Sequence, residues 1–250
     1  MFIMCNISRN TLVLAVIMAF LPNIASAEEN ASNPLASVSN VDLRWQGIFA
    51  DAGEKYDFFV DGSHMLMPKL KLKYELHYNI NNFTGSRQSN FEKLVIKPLY
   101  FPYQTKLNDT WAMKVAVGID WIVDLGDTSK AIGAGSDQVA PFAGIAFSHT
   151  PSGLVLIPLV QHFLSYRGST DINTTSLRLI VIKPFGKGYW VKVDFKAPYE
   201  WENDKWPVSA EVQVGYNINK KWAIYAEGLV GIGRDRPYNA GVGVGLRFKY

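Results

Sequence analysis

The sequence predicts an all-β fold: a transmembrane, antiparallel, up-and-down β-barrel of about 12 strands, within a range of about 10 to 12, following a cleaved signal peptide. Three observations carry this expectation. The last stretch of the chain alternates without a break, with Ala240, Val242, Val244, Leu246, Phe248 and Tyr250 on one face of an extended strand and Gly241, Gly243, Gly245, Arg247 and Lys249 on the other. A strand with hydrocarbon outside and a polar interior needs that division. The second is Trp111 to Leu125, where Trp111, Met113, Val115, Val117, Ile119, Trp121, Val123 and Leu125 share a face opposite Ala112, Lys114, Ala116, Gly118, Asp120 and Asp124. Strands of globular domains usually run to about 5 or 6 residues, so an apolar face of this length, with Trp near both ends, fits a lipid-facing band. The third is that long and short connections alternate along the chain.

At the amino end, Arg9 precedes an apolar run from Leu12 to Leu21, and Pro22 leads into Ala25-Ser26-Ala27. This is the pattern of a signal peptide over residues 1–27, removed before folding. Cys5 is the one cysteine of the chain and leaves with it, so the exported protein has no thiol for disulfide, metal or nucleophilic chemistry. Removing Arg9 from 25 Lys+Arg leaves 24 against 22 Asp+Glu, a near balance with the two signs interspersed. That excludes the basic patch of a nucleic-acid binder. The longest later apolar run, Leu154 to Val160, is far below the roughly 18 to 20 residues of a spanning helix.

Residues 28–40 are polar and rich in Ser, Asn and Ala, and read as a flexible lead-in to a barrel over 41–250. Val41 to Phe49 alternates, and Tyr56 to Val60 reads as its short partner; Asp61 to Lys69, with Gly62 and Pro68, reads as a connection. Leu70 to Ile80 sets Leu70, Leu72, Tyr74, Leu76, Tyr78 and Ile80 against Lys71, Lys73, Glu75, His77 and Asn79. Phe91 to Phe101 is extended, but Val95 and Lys97 share a side and leave its facing open. Gln138 to Ser148, Leu154 to Tyr166, Thr175 to Val181, Tyr189 to Lys196, Val208 to Ile218 and Trp222 to Ile232 complete the set before the final strand.

With the carboxyl end in the periplasm, residues 233–239, 197–206, 167–173, 126–137 and 81–90 become outer loops, and 219–220, 185–187 and 149–152 become periplasmic turns. Residues 102–110 are the exception, long for a periplasmic turn. Pro98, Pro141 and Pro158 fall inside strands and require bulges or ladder breaks, because a closed barrel has no free edge to hide a missing N–H.

A signal peptide, period-two strands and a closing strand ending in Val244, Leu246, Phe248 and Tyr250 resemble bacterial outer-membrane β-barrels, in which such a strand is read by the barrel-assembly machinery. The segments Gln138-Val-Ala-Pro141, Asp171-Ile-Asn173, Trp201-Glu-Asn-Asp204 and Gly233 to Tyr238 are similar to proteobacterial barrels grouped with the transporter family of the phenol-degradation (MetA) pathway. The resemblance implies a Gram-negative outer-membrane location and a channel or transporter for small solutes, hydrophobic ones included, or a structural barrel. Its implied partners are outer-membrane lipids, lipopolysaccharide, the assembly machinery and an unidentified solute.

Candidate lumen-lining residues are Lys71, Lys73, Glu75, His77, Lys114, Asp120, Asp124, Arg178, Lys192, Asp194, Glu211, Glu227 and Arg247. Buried charge persists when paired or hydrated, and the balance of signs favours pairing. Gly241, Gly243 and Gly245 leave room beside the lumen wall. Tyr199, Trp201, Glu202, Asp204 and Trp206 form a candidate outer-loop binding group, with the interfacial girdle as the commoner role for such aromatics. The sequence carries no His and Ser two residues apart, the arrangement of outer-membrane lipid hydrolases, although Glu75 and His77 share a face. No cofactor, metal cluster or nucleotide loop is indicated, so enzymatic activity is not expected; a barrel-embedded lipid hydrolase and a soluble secreted β-sandwich or lipocalin-like binder are the alternatives.

Overall fold

In the computed structural model, residues 31–250 are described; the predicted signal peptide lies outside them. Twelve strands follow one another: β1 (Asn40–Ala50), β2 (Gly53–Met67), β3 (Leu70–Asn81), β4 (Gln88–Lys106), β5 (Trp111–Asp124), β6 (Ser136–His149), β7 (Leu154–Gly168), β8 (Asn173–Phe185), β9 (Tyr189–Glu200), β10 (Ser209–Asn217), β11 (Trp222–Gly231) and β12 (Ala240–Lys249). Each pairs antiparallel with its chain neighbours, and β1 pairs with β12 from Asn40 opposite Lys249 to Phe49 opposite Ala240. The sheet is therefore closed and has no edge.

Its polarity is inside out. On β10, Ser209, Glu211 and Gln213 are buried while Val212 and Val214 are exposed, and β12 buries Arg247 while exposing Val242, Val244 and Leu246. Only hydrocarbon outside makes such a surface stable, because closure pairs the strands with one another and the outward apolar side chains need no water-excluding partner. A soluble sandwich or lipocalin, with its apolar residues inside, is excluded.

Several expectations are corrected in the first half of the chain. The residues read as a connection, Asp61 to Lys69, are strand as far as Met67, leaving Pro68 and Lys69 as the turn. Gly62 is a strand residue there because its missing side chain admits the Tyr74 ring of β3: a Cβ at Gly62 would lie 2.5 Å from the Tyr74 hydroxyl oxygen. Likewise β4 continues to Lys106, so the supposedly long turn shrinks to residues 107–110, and no periplasmic turn exceeds four residues. At the other end of the barrel, β9 runs on to Glu200 and shortens that outer loop to 201–208.

The prolines behave as the missing donor requires. The β4 and β5 pairing skips from Ile96 opposite Trp121 to Leu99 opposite Gly118, passing over Pro98, and shifts register between Tyr100 and Tyr103, around Pro102. The β6 and β7 ladder omits Pro141 and also Pro158, while both are paired on their other sides, Pro141 with Ile119 and Pro158 with Leu179. Pro98, Pro141 and Pro158 thus each interrupt one ladder and leave the other intact, Pro98 pairing with Leu72.

The room expected beside Gly241, Gly243 and Gly245 is taken by β11 and, at Gly241 and Gly243, by the β1 backbone as well. A Cβ at Gly241 would meet Leu229 at 3.3 Å, one at Gly243 would meet Glu227 at 2.6 Å, and one at Gly245 would overlap the Tyr225 ring. These glycines seat neighbouring side chains instead of opening a passage. Gly245→Val is expected to lower barrel stability by about 1 to 3 kcal/mol, the cost of overpacking, read as a lower temperature for the heat-modified gel band; an unchanged transition refutes the seating role.

Candidate solute passage in the lumen

Strand register gathers the inward charges into a belt around the mid-barrel. Arg44 of β1 reaches Glu227 at 2.8 Å, Glu211 at 3.8 Å and Asp61 at 3.4 Å. Gln46 and Gln213 donate amide N–H to Glu227 at 2.6 and 2.7 Å. Lys192 stands between Glu211 at 3.4 Å and Asp194 at 3.9 Å, and Lys196 lies 3.7 Å from Glu211. Arg178 holds Asp194 through two guanidinium bonds, Nε donating at 2.7 Å. Across β3 to β5, Lys97 bridges Glu75 at 2.9 Å and Asp120 at 3.1 Å, and Gln161 donates to Asp120 at 2.9 Å. The network satisfies buried charge pairwise, which is the condition for keeping it in a low-dielectric wall.

Above the belt, toward the outer mouth, His77 Nδ1 is 2.9 Å from Asp57 and its Nε2 3.4 Å from Glu75, with the ring stacked on Phe59. Asp57, His77 and Glu92 offer ligand atoms within 4.8 Å of one another, but Glu92 is held by Lys55 at 2.8 Å and by Asn79 at 3.2 Å. The carboxylate-histidine set is a paired part of the lumen wall. At the outer rim, Asp124 accepts the Gly126 and Gly135 N–H groups at 3.0 and 2.6 Å. It organises the loop between β5 and β6. In that loop Asp127 accepts from the Ser129 hydroxyl at 2.6 Å, which holds its carboxyl below the ordinary range.

Below the belt the lumen changes character. Residues 31–39, expected as a flexible lead-in, are folded across the bore. Ser32 accepts from Arg247 of β12 at 2.7 Å, Leu35 reaches the opposite wall, and the segment returns past β3 and β2, where Lys71 donates to the Ala36 carbonyl and Ser63 to the Val38 carbonyl at 2.8 and 2.9 Å. Lys114 of β5 donates to the Ser37 hydroxyl at 2.6 Å and lies over the Phe101 ring. Leu35 is buried with Leu99, Phe101, Ala116, Ile157, Ile180 and Ile182. Apolar inner walls on β4 to β8 have no use in a hydrated pore, and Leu35 is what they pack against. Between this seal and the periplasm lies a cavity of about 710 Å³ bordered by Asn33, Leu35, Ser148, Pro184 and Trp190.

The thirteen sequence-derived lumen candidates lie on inner faces or, for Asp124, at the rim. Four of the five outer-loop candidates come together around Tyr199. Tyr199 belongs to β9 and pairs with Thr175, on the membrane-facing side with Leu177 and Phe195. Trp201 and Trp206 pack on Tyr199 with ring centroids 4.8 and 4.9 Å away, Asp204 accepts the Tyr199 hydroxyl at 2.7 Å, and Glu202 stands apart in the loop. Trp201 also donates to Thr175, which His162 joins at 2.9 Å. With the Trp121 and Tyr166 pair, these side chains form an outer interfacial girdle.

Tyr250, placed on the lipid face by the alternation, is instead buried: it lies beyond β12, its hydroxyl donates to the Ser63 carbonyl at 3.4 Å, and its ring faces His64. Val244 and Leu246 do face outward. Inward charged residues absent from the candidate set are Arg44, Asp61, Lys97 and Lys196 of the belt and Asp42 beneath it. Alternation in β1 already put Asp42 and Arg44 inside; Lys97 was hidden because Val95 and Leu99 share its face.

No protein-family model and no curated protein matches this sequence. Among solved structures, it is similar to the COG4313 outer membrane channel from Pseudomonas putida F1 at TM-score 0.60 and 8% identity, over 91% of this chain and 100% of that one. It is also similar to the KdgM porin at TM-score 0.55 and 13% identity, over 84% and 99%. The chain has the fold of an outer-membrane β-barrel. The outer membrane phospholipase A from Escherichia coli shares it too, at TM-score 0.50 and 15% identity over 88% and 94%. At such identities the likeness concerns the barrel and carries no residue roles.

Proposed function

We propose that this barrel is an outer-membrane channel for small solutes, closed at its periplasmic end by residues 31–39. The observation that carries the reading is the accessible space left beside charge in the mid-barrel. Lys196 and Arg178, deep inside the lumen, keep 37% and 29% of their side chains accessible. Charge at that depth borders a water-sized space, which a lumen packed solely for stability has no reason to keep. The porin and channel neighbours support this reading, as does the resemblance to the MetA-pathway transporters. Lipopolysaccharide against the outer girdle, and the assembly machinery at Val244, Leu246, Phe248 and Tyr250, are the partners we infer.

The test is current through planar bilayers. Discrete steps are expected for the full chain, larger or more frequent for Leu35→Ser, which weakens the apolar seal. Silence from both overturns the channel reading. The hydrolase alternative has one structural motive, His149 Nδ1 at 2.7 Å from the Ser152 hydroxyl in the turn between β6 and β7. Ser152 there also accepts the Leu154 N–H, and among the described residues no carboxylate orients His149. Unchanged lipid release after Ser152→Ala is the expected result.

A further inference from the structure

The belt holds nearly equal numbers of cations and acids, yet the two signs do not share the accessible surface equally. In the Lys196 and Glu211 pair the side chains are 37% and 6% accessible, and in the Arg178 and Asp194 pair 29% and 0%. Lys97 and Asp120 stand at 19% and 6%. The pairs of Lys192 with Asp194 and of Arg44 with Glu227 are ordered the same way. Lys73, inward on β3, adds a cation with no carboxylate within 4.0 Å among the described residues. Of the belt's acids, Asp61 and Glu75 alone are as accessible as their basic partners among the described residues.

From these pairs we infer that the channel, if the reading above holds, is selective for small anions. The reason is radial order. Short carboxylates stay against the wall, where neighbouring amides such as Gln213 and Gln161 reach them, while long Lys and Arg stems carry the positive end toward the axis. Each such pair is then a dipole with its positive end nearer the solute, and a Coulomb interaction falls with distance, so equal charges leave a positive potential on the axis. A narrow bore in a low-dielectric wall focuses that potential. A small anion, inorganic or a monocarboxylate, replaces bulk water with Lys73, Lys196 and Arg178 around it. A small cation meets the wrong end of these dipoles.

The experiment is the reversal potential of the full chain in bilayers under a potassium chloride gradient, with Leu35→Ser measured beside it to separate closure from the absence of a passage. Chloride is expected to permeate about fivefold better than potassium, the effect of a focused field of one sign. Lys196→Gln with Lys73→Gln should cut that ratio by about half or more, and Lys196→Glu with Lys73→Glu should bring it to one or below. These residues sit on the accessible side of the belt, so the heat-modified band should persist, and the wild-type ratio tests the inference even if a variant does not fold. Conductance without chloride preference, or a preference untouched by both variants, overturns the anion inference and leaves the channel standing. Silence in both wild type and Leu35→Ser removes the channel reading and this inference together.

Discussion

Leu35→Asp is expected to open the periplasmic end of the barrel and raise mean conductance by about tenfold. Leu35 is among the most deeply buried side chains and closes the apolar layer on β4 to β8. Leaving an unpaired carboxylate there costs several kcal/mol. The bonds that hold residues 31–39 include those from Arg247, Lys71, Lys114 and Ser63 and, at Ser39, those from the Met65 and Tyr250 N–H groups, each contributing about 1 kcal/mol, or up to about 3 where the donor is charged. The penalty is comparable to two or three of these bonds, so displacement of the segment around Leu35 is the cheapest relief. None of these bonds belongs to the β-ladders that close the sheet, so barrel integrity should be unaffected. Single-channel recording decides it: a Leu35→Asp trace identical to wild type would show that residues 31–39 do not close the bore.

Arg247→Ala is expected to be the most damaging single substitution in the wall, costing about 3 to 5 kcal/mol, the range for stranding a buried charge. Its Nε and Nη2 donate to Asp42 at 2.6 to 2.9 Å across the seam where β12 meets β1, its Nη1 reaches Ser32, and its guanidinium lies 5.2 Å from the Tyr225 ring centroid. Asp42 is fully buried and also takes the Tyr225 hydroxyl and the Asn40 amide. Removing the cation leaves a carboxylate with no water to turn to, at the pair of strands that closes the barrel. The check is thermal unfolding of the folded gel band, in the single variant and in Asp42→Asn with Arg247→Gln. The double variant should recover most of the loss, because an amide pair removes the stranded charge; equal loss in both would show that packing, not charge, is what Arg247 supplies.

Alternation of apolar and polar residues determined the barrel, its strand number and which residues face inward, because period two is a local property of a strand whose two faces meet different solvents. Even His77, Arg178 and Glu227 could be assigned to the lumen from a dozen neighbouring letters. Where the inner face is itself apolar, as at Val95 and Leu99 of β4, or where Gly62 makes room for Tyr74, the local pattern resembles a turn or an unoriented segment and misleads. Three matters were decided by the tertiary structure alone. Residues 31–39 have no periodicity and are ordered by partners on β12, β3, β5 and β2. Tyr199 looks like a loop residue until the length of β9 turns it toward lipid, with Trp201 and Trp206 packing on it from the loop. The belt looks neutral by composition; which end of each pair faces the bore depends on cross-strand register and side-chain length, and no count of charges along the chain contains that.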